Sequence, residues 1–547
     1  MIQSVSPFVK TILAGRGLSE PEMQEFLYPD YSTGLHDPFL LTDMEPAVTR
    51  IILAAERGEV VVVYGDYDID GITASAVMIE GLAALGITAT SYIPDRFEEG
   101  YGINQNALEA ILEGGAQLVI SVDCGVTSAT EAAWAQAHGL DLIITDHHAV
   151  PEVLPEAIAV INPKRLDDAY PFKELAGVGV AFKVIQALQM RIGKPATGQE
   201  KWLLDLVALG TVCDVMDLVG ENRVLVSYGL KVMRSTRRSG LKSLAAIGGV
   251  DITKIKAEHL GFVLGPRMNA AGRLEHAARS VELVMTNDAM RAHSIALELD
   301  SLNLERRSTQ AAVFAQADAM AAHYADDPVL VLAASGWNHG IVGIVASKLV
   351  EKWHKPTLVM EIMGDTTKGS ARSAGAFNMV DGLRASSAHL TKFGGHFYAA
   401  GYTLPTSNVD ALRASLNETF RSGGFLQAKR PVSQAEVELD HLGQASWELI
   451  NELDLLEPHG AGNPQPLLGL HDLSVVRVDK IGADKKHYRL TLRDVSGATA
   501  EAVGFGLVDR VPGVRQGQTA HICMRLGRNE WQGRVRLQLG LVELVCE

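Results

Sequence analysis

The sequence predicts an α/β protein: two α/β lobes joined by long helices, followed by a C-terminal β-barrel of the OB type. Three observations predict it. Short β-branched runs alternate with alanine-rich stretches from about 46 to 220 and again from about 328 to 425, the pattern of mostly parallel sheets. Residues 277–325 are nearly free of Gly and Pro and read as one or two long helices. Beyond 470, five β-rich runs crowd into roughly 75 residues, and five is the strand number of a small OB-like barrel.

In chain order, residues 1–45 read as a helical cap interrupted by Pro7, Pro21, Pro29 and Pro38. The first lobe, 46–276, opens on the strand Val60–Tyr64 and the helix Thr73–Leu85. Strands follow at Thr88–Ile93, Leu118–Val122 and Leu142–Thr145. After the linking helices of 277–325, the second lobe, 326–428, begins with Val329–Leu332 and holds a helix at Ile344–Val350. The last region, 429–547, starts helical and Pro/Gly-rich. It continues with strands at Leu473–Val478, His487–Leu492, Ala500–Phe505, Thr519–Arg525 and Arg534–Leu539.

A chain of 547 residues exceeds one hydrophobic core, so several domains are expected. Its net charge of −16 argues against attraction of polyanions by the whole surface but leaves room for a local basic track. No apolar run reaches the roughly 18 residues of a membrane span, so no membrane association is expected. Met1–Val5 lacks the basic start of a secretory leader. Cys124, Cys213, Cys523 and Cys546 are widely spaced and match neither a zinc motif nor a disulfide framework, which suits a reducing cytoplasm.

The chemistry concentrates at the ends of apolar runs. Asp66, Asp68 and Asp70 follow the first strand, and Gly71 permits a sharp turn there. Three carboxylates so close either lose charge or share a cation; the plain alternative is a polar turn that caps the next helix. Asp123-Cys124-Gly125 repeats the arrangement after the third strand, and Asp146-His147-His148 after the fourth. Imidazole with carboxylate suits Mn²⁺, Fe²⁺ or Zn²⁺. Asp214 follows another apolar segment. Together Asp68, Asp70, Asp123, His147 and Asp214 supply enough ligands for two cations, which can activate water and offset charge in a phosphoryl displacement.

A second set faces phosphate. Gly265–Arg273 combines Arg267, Asn269 and Arg273 with small residues, and glycine there is expected to let the backbone approach a ligand. Ser370 and Arg372 add a hydroxyl and a guanidinium, Phe393-Gly394-Gly395-His396 reads as a flexible turn with a donor, and the helix after Asn338 offers an N-terminus to an anion. Residues 471–536 hold twelve Lys and Arg against seven Asp and Glu, an excess of five positive charges in an acidic chain. Lys485, Lys486, Arg489 and Arg534, with Tyr488 and Trp531 among them, are expected to form a basic, aromatic face for single strands.

The motifs Gly65–Gly71, Asp123-Cys124-Gly125 and Asp146-His147-His148 resemble those of the DHH phosphoesterase superfamily. Gly261–Leu274, Phe393–His396 with its DHHA1 setting, and Gly462-Asn463-Pro464 ahead of the barrel resemble the RecJ family of bacterial exonucleases. The resemblance spans roughly 45 to 547. It implies a DHH lobe, a DHHA1 lobe and an OB-like domain. It further implies 5′→3′ hydrolysis of single-stranded DNA in recombination and repair, dependent on Mn²⁺ or Mg²⁺, with two ions bound. Relatives that hydrolyse short oligonucleotides or cyclic dinucleotides share the two lobes and supply the alternative activity. By this resemblance Asp68, Asp70, Asp123, His147 and Asp214 ligate metal, Asp66 joins the catalytic set, and His148 lies against the scissile phosphate or leaving oxygen. Arg273 contacts phosphate, and Ser370, Arg372 and His396 hold the nucleotide end. A single-stranded DNA-binding protein and a RecQ-like helicase are the implied partners of a monomer. One departure is plain: many superfamily members carry a ligating histidine four residues before the position of Asp68, and Tyr64 stands there in this chain.

Overall fold

The computed structural model describes residues 6–95, 99, 102–274, 277–428, 432–531 and 533–547; the side chains of Leu274 and Trp531 also lie outside the described set. The chain divides into two units. One comprises Met1–Gly265, Val281–Ala289 and Val432–Glu547, and the other Pro266–Ser280 and Met290–Pro431.

In the first unit, β1 (Val61–Gly65), β2 (Ala89–Tyr92), β3 (Leu118–Val122), β4 (Asp141–Thr145) and β5 (Ala159–Ile161) form a sheet in the order β2-β1-β3-β4-β5. Every pairing is parallel. The apolar side chains of β1 and β3 are wholly buried, as continuous Val/Ile runs in such sheets should be. Gly65 pairs with Val122, and Val122 with Thr145, so the residues that follow β1, β3 and β4 emerge along one edge. The three-residue β5 escaped sequence reading because so short a run carries no period. Helix Ile69–Ala84 packs on helices Gly177–Ile192 and Leu204–Cys213, and Gly81 is small enough to admit Ile185 between the first two.

The expected barrel is present in the same unit. Strands β11 (Val437–Glu438), β12 (Leu468–Ile481), β13 (His487–Arg493), β14 (Thr499–Gly504), β15 (Thr519–Trp531) and β16 (Arg534–Cys546) run in the order β11-β12-β13-β14-β16-β15. A further β12–β15 pairing closes β12 to β16 into a five-stranded barrel, with β11 added at its seam. Its core includes Leu468, Leu490, Ala502 and Met524 together with Val9, Ile12, Leu13 and Leu27. The N-terminal helices Pro7–Gly15 and Glu20–Leu27 therefore share the apolar cluster of the barrel, the first packing on β11 and the second on the turn Asp454–Leu456. Tyr488, expected on a binding face, is fully buried, and its hydroxyl donates to the Val511 carbonyl.

Arg223 ties this assembly to the catalytic helices. It is 2% exposed, stacks on Phe26 at 3.6 Å, and donates to the carbonyls of Phe26, Leu455, Leu456 and Glu457 at 2.7–3.3 Å. Burial, aided by the charge of Arg16, lowers its pKa to about 9.

In the second unit, β6 (Leu330–Ser335), β7 (Thr357–Met363), β8 (Thr366–Arg372), β9 (Lys392–Gly395) and β10 (Ala399–Pro405) form a mixed sheet in the order β6-β7-β8-β10-β9. Only β6–β7 is parallel. The helical segment resolves into Ala278–Met285 and the 35-residue Ala289–His323. Gly265–Leu274 is a helix, with Met268, Ala270 and Ala271 on its buried face. One expectation is corrected. Phe393–Gly395 belongs to edge strand β9 rather than to a flexible turn, since β10 supplies its ladder partners.

Candidate metal centre

The parallel edge of the first sheet delivers the acidic residues. Asp68 caps helix Ile69–Ala84, accepting from Asp70 N–H at 2.9 Å and Gly71 N–H at 3.2 Å. Asp70, in the first turn, accepts from Gly177 N–H at 2.6 Å and Val178 N–H at 2.9 Å, the N-terminus of helix Gly177–Ile192. Two glycines make room for these carboxylates: a Cβ at Gly177 would stand 2.6 Å from the Asp123 side chain, and one at Gly210 would stand 2.8 Å from Asp70 Oδ1. Neither glycine was legible as part of the site, since the carboxylate each makes room for comes from a distant segment.

Asp123 follows β3 in the left-handed conformation, φ 61°. Asp214 ends helix Leu204–Cys213, not a strand, but reaches the same point. His147 Nε2 lies 3.1 Å from Asp123 Oδ1, 3.5 Å from Asp214 Oδ2 and 3.7 Å from Asp70 Oδ2. Donor atoms of Asp66, Asp68 and Asp123 form a neighbouring group within 4.8 Å of one another, and Asp123, His147 and His148 form a third. Asp123 belongs to two of these groups, as a carboxylate shared by adjacent cations would.

The electrostatics state what is missing. Burial, with the carboxylates of Asp70, Asp68 and Asp66 beside it, pushes Asp123 well above the usual range. Burial and neighbouring carboxylates likewise raise Asp70 to about 7 and Asp214 to about 8. Burial and the adjacent His148 hold His147 neutral, its pKa lowered to about 3. For His148 burial opposes the charge, but the hydrogen bond to Asp146 (Nδ1 to Oδ1, 2.8 Å) and its carboxylate outweigh it and raise the pKa to about 9. Asp146 also accepts from Val126, His147 and His148 N–H. It therefore orients the two histidines rather than facing a cation.

The residues fit a divalent metal. A neutral imidazole aims a nitrogen at two buried carboxylates, Asp70 and Asp123, and at the partly exposed Asp214. Among the described residues, neither His147 Nε2 nor Asp123 Oδ1 has a hydrogen-bond partner. Hard oxygen donors with one imidazole suit Mn²⁺ or Mg²⁺ better than a thiolate-preferring site. Tyr64 takes no part. Its ring stacks on Tyr92, its hydroxyl donates to the Gly102 carbonyl and accepts from Asn104, and it sits in the apolar cluster of the sheet.

The phosphate-facing candidates separate into two places. In the second unit, Ser370 and Arg372 alternate on β8, so they share a face. Ser370 pairs with Gly401, and Gly401 with Gly394; Gly395 pairs with Ala400, and His396 N–H donates to Ala399 O at 2.8 Å. Ser370, Arg372, Gly394, Gly395 and His396 thus lie on adjoining strands. Arg372 is largely buried, burial lowers its pKa, and no carboxylate among the described residues offsets its charge. Gly343 of helix His339–Trp353 is what admits it: a Cβ there would be 3.0 Å from Arg372 Nη2 and 3.3 Å from Ser370 Oγ. Arg267, Asn269 and Arg273 share helix Gly265–Leu274. Arg267 donates to Asp300 at 2.9 Å, and Arg273 donates to the Gly340 carbonyl at 2.9 Å.

On the barrel, Lys485 and Lys486 occupy the β12–β13 hairpin, with Lys486 4.0 Å from Asp484 and Arg489 3.8 Å from Glu501. Arg534 opens β16 and is exposed. Two of these basic side chains thus lie near carboxylates; of the two aromatics expected among them, Tyr488 is core, and the Trp531 side chain is outside the described residues.

Comparison with known proteins now bears on these sites. A profile of the DHH family N-terminal domain matches residues 60–211, one of the DHHA1 domain matches 326–422, and one of the RecJ OB domain matches 435–543. A single-stranded-DNA-specific exonuclease RecJ of Bacillus subtilis is 39% identical over 542 residues, which is 98% of this chain and 67% of that protein. Its counterpart in Haemophilus influenzae is 32% identical over 522 residues, covering 92% of this chain and 90% of the relative. The crystal structure of RecJ from Thermus thermophilus in complex with Mn²⁺ superposes with a TM-score of 0.84 at 29% identity, covering 99% of this chain and 76% of that one. A Mg²⁺ complex of the Thermus protein gives 0.78 at 27% identity, covering 99% and 74%.

Proposed function

The chain belongs to the RecJ family of single-stranded-DNA-specific exonucleases, and from that premise we propose that it removes mononucleotides from the 5′ end of single-stranded DNA, as a metal-dependent nuclease of recombination and repair. The observation that carries this reading is the convergence of His147 on the carboxylates of Asp70, Asp123 and Asp214.

Asp68, Asp70, Asp123, His147 and Asp214 would hold two Mn²⁺ or Mg²⁺ ions, which when bound would lower the pKa of water and offset charge on a displaced phosphoryl group. Burial keeps His147 neutral, so its nitrogen lone pair stays available at every physiological pH. His148, steered by Asp146 and positive up to about pH 9, donates to a phosphate oxygen as charge develops there. Asp66 shapes the second ligand group beside Asp68 and Asp123. Arg372, Ser370 and His396 bind the terminal phosphate. Arg273, Arg267 and Asn269 add contacts to the phosphates near it, and Gly394 and Gly395 let the strand lie close to the backbone. Lys485, Lys486, Arg489 and Arg534 track the DNA farther from the end.

The domain division follows the same reading: a helical cap at 1–45, a DHH catalytic domain at 46–276, linking helices at 277–325, a DHHA1 domain at 326–428 and an OB-like domain at 429–547. The enzyme works as a cytoplasmic monomer, alongside a single-stranded DNA-binding protein and a RecQ-like helicase. Among the described residues no helix is long and apolar enough to cross a membrane.

The test is digestion of a single strand labelled at one end or the other, with Mn²⁺. Mononucleotides released first from the 5′ end support the proposal. Release from the 3′ end, or turnover confined to very short oligonucleotides or cyclic dinucleotides, refutes it.

A further inference from the structure

The barrel brings two histidines together at one seam, separate from the carboxylates of the first sheet. At the seam where β12 meets β15, the register shifts between Leu470 and Leu473, so that His471 and Asp472 stand against the single residue His521. Such a bulge re-aims side chains. Asp472 adopts φ 54°, a left-handed conformation that a non-glycine residue takes at a cost. The outcome is that Nδ1 of His471 lies 3.2 Å from Nδ1 of His521, with the rings tilted by 49°. Two imidazole nitrogens at that separation either share one proton or bind one ion between them.

The surroundings favour the ion. His471 Nε2 is 3.2 Å from Glu438 Oε2, and His521 Nε2 is 3.9 Å from Glu547 Oε1. Glu438 behind the His471 ring fixes the tautomer that leaves its Nδ1 as a ligating atom, the usual outer shell of a metal-bound histidine. Glu547 attracts the other ring from beyond hydrogen-bond distance, and His521 Nδ1 accepts from Asp472 N–H at 3.4 Å, a long contact that an ion would replace. The seat for Glu438 is built into the fold. Glu438 pairs with Gly469 across the β11–β12 ladder, and a Cβ at Gly469 would collide with the Glu438 carboxylate. Glycine there frees the carboxylate to lean along the strand to His471, two residues on and on the same face.

We propose that His471 and His521 bind one borderline divalent ion of the zinc class through their Nδ1 atoms, with Glu438 and Glu547 orienting the rings. Two nitrogen donors with water completing the shell suit Zn²⁺, Ni²⁺ or Cu²⁺ over Mg²⁺, which prefers oxygen. The ligands come from β12 and β15 and their supports from β11 and the chain after β16, so the ion fastens the seam that closes the barrel.

The experiment titrates Zn²⁺ into the full chain held in excess Mg²⁺, following heat of binding and thermal melting. One Zn²⁺ beyond the Mg²⁺-filled centre, with a rise in melting temperature, is expected, and it should persist in Asp123→Asn. His471→Asn and His521→Asn should each abolish it, and Glu438→Gln should weaken it by about 10- to 100-fold. Both histidines reach the surface, with side chains 56% and 25% exposed, and a melting scan without Zn²⁺ confirms that each variant folds. Zn²⁺ binding unchanged in His521→Asn, or no binding in the parent chain while the pair titrates as a shared proton, would overturn the proposal.

Discussion

The acidic edge of the first sheet and the Ser370–Arg372 face of the second unit are unbalanced in opposite senses. At the first, the buried Asp70 and Asp123 and the partly exposed Asp214 lie together and each is driven toward its neutral form. At the second, Arg372 is largely buried, and no carboxylate among the described residues offsets it. Structural charges elsewhere in the chain meet opposite charges, as Lys183 meets Glu221 at 2.6 Å, both below 2% exposed, and as Arg238 meets Glu80 and Asp205. Arg223, also buried without a carboxylate, is satisfied by four backbone carbonyls and marks no site. The contrast teaches that buried charge met neither by an opposite charge nor by such a set of carbonyls marks a candidate site, and that its sign names the ligand class: cations at one place, a phosphate at the other.

Breaking the acidic side should have the largest effect. Asp123→Ala removes the carboxylate shared by two ligand groups and should lower nuclease turnover by roughly 10³-fold or more, measured on end-labelled strands. Breaking the basic side should cost less. Arg372→Met should raise KM for 5′-phosphorylated strands by about 10- to 100-fold, and Arg372→Lys should restore little, because an ammonium lacks the fork that grips phosphate.

The two signs also predict opposite responses to pH. Folded-state pKa values of about 7 for Asp70 and about 8 for Asp214 lie above the ordinary carboxylate value, so the folded state binds these protons more tightly. Their contribution to stability is complete below about pH 4 and is lost as pH rises through about 7 and 8. Melting in EDTA should therefore fall across that window, and Mn²⁺ should restore it; a flat profile in EDTA would contradict the account. His148 behaves in reverse of an ordinary histidine, keeping its charge to about pH 9, so turnover should decline only as pH passes that value, and His148→Asn should remove that limb. The smallest effect belongs to the barrel. Lys485→Ala with Lys486→Ala should reduce the salt dependence of binding to long strands by about one to two units of slope and spare short ones.

How much of this was legible in the sequence follows from where the information lies. Asp68, Asp123 and His147 each follow an apolar run, and parallel strands in register must present such residues on one edge, so order along the chain sufficed. Asp214 was found through the same signal although a helix, not a strand, carries it; an apolar run alone does not separate the two. Phe393–Gly395 was misread because its glycines suggest a turn, while pairing with β10 makes it a strand. Tyr488 was misread because its charged neighbours conceal that strand alternation turns it inward. The packing of Val9 and Ile12 into the barrel joins segments more than 400 residues apart, and the His471–His521 pair depends on a bulge. No local pattern encodes either.

Arg223 has a mechanical consequence. A guanidinium gripping four carbonyls of the N-terminal helix and the turn before the barrel makes hinge motion there expensive, so the barrel is mounted on the catalytic lobe rather than tethered to it. A rigid mount gives a molecular ruler. The oligonucleotide length below which digestion slows becomes a fixed property of the protein, and loosening the mount with Arg223→Met should smear that threshold.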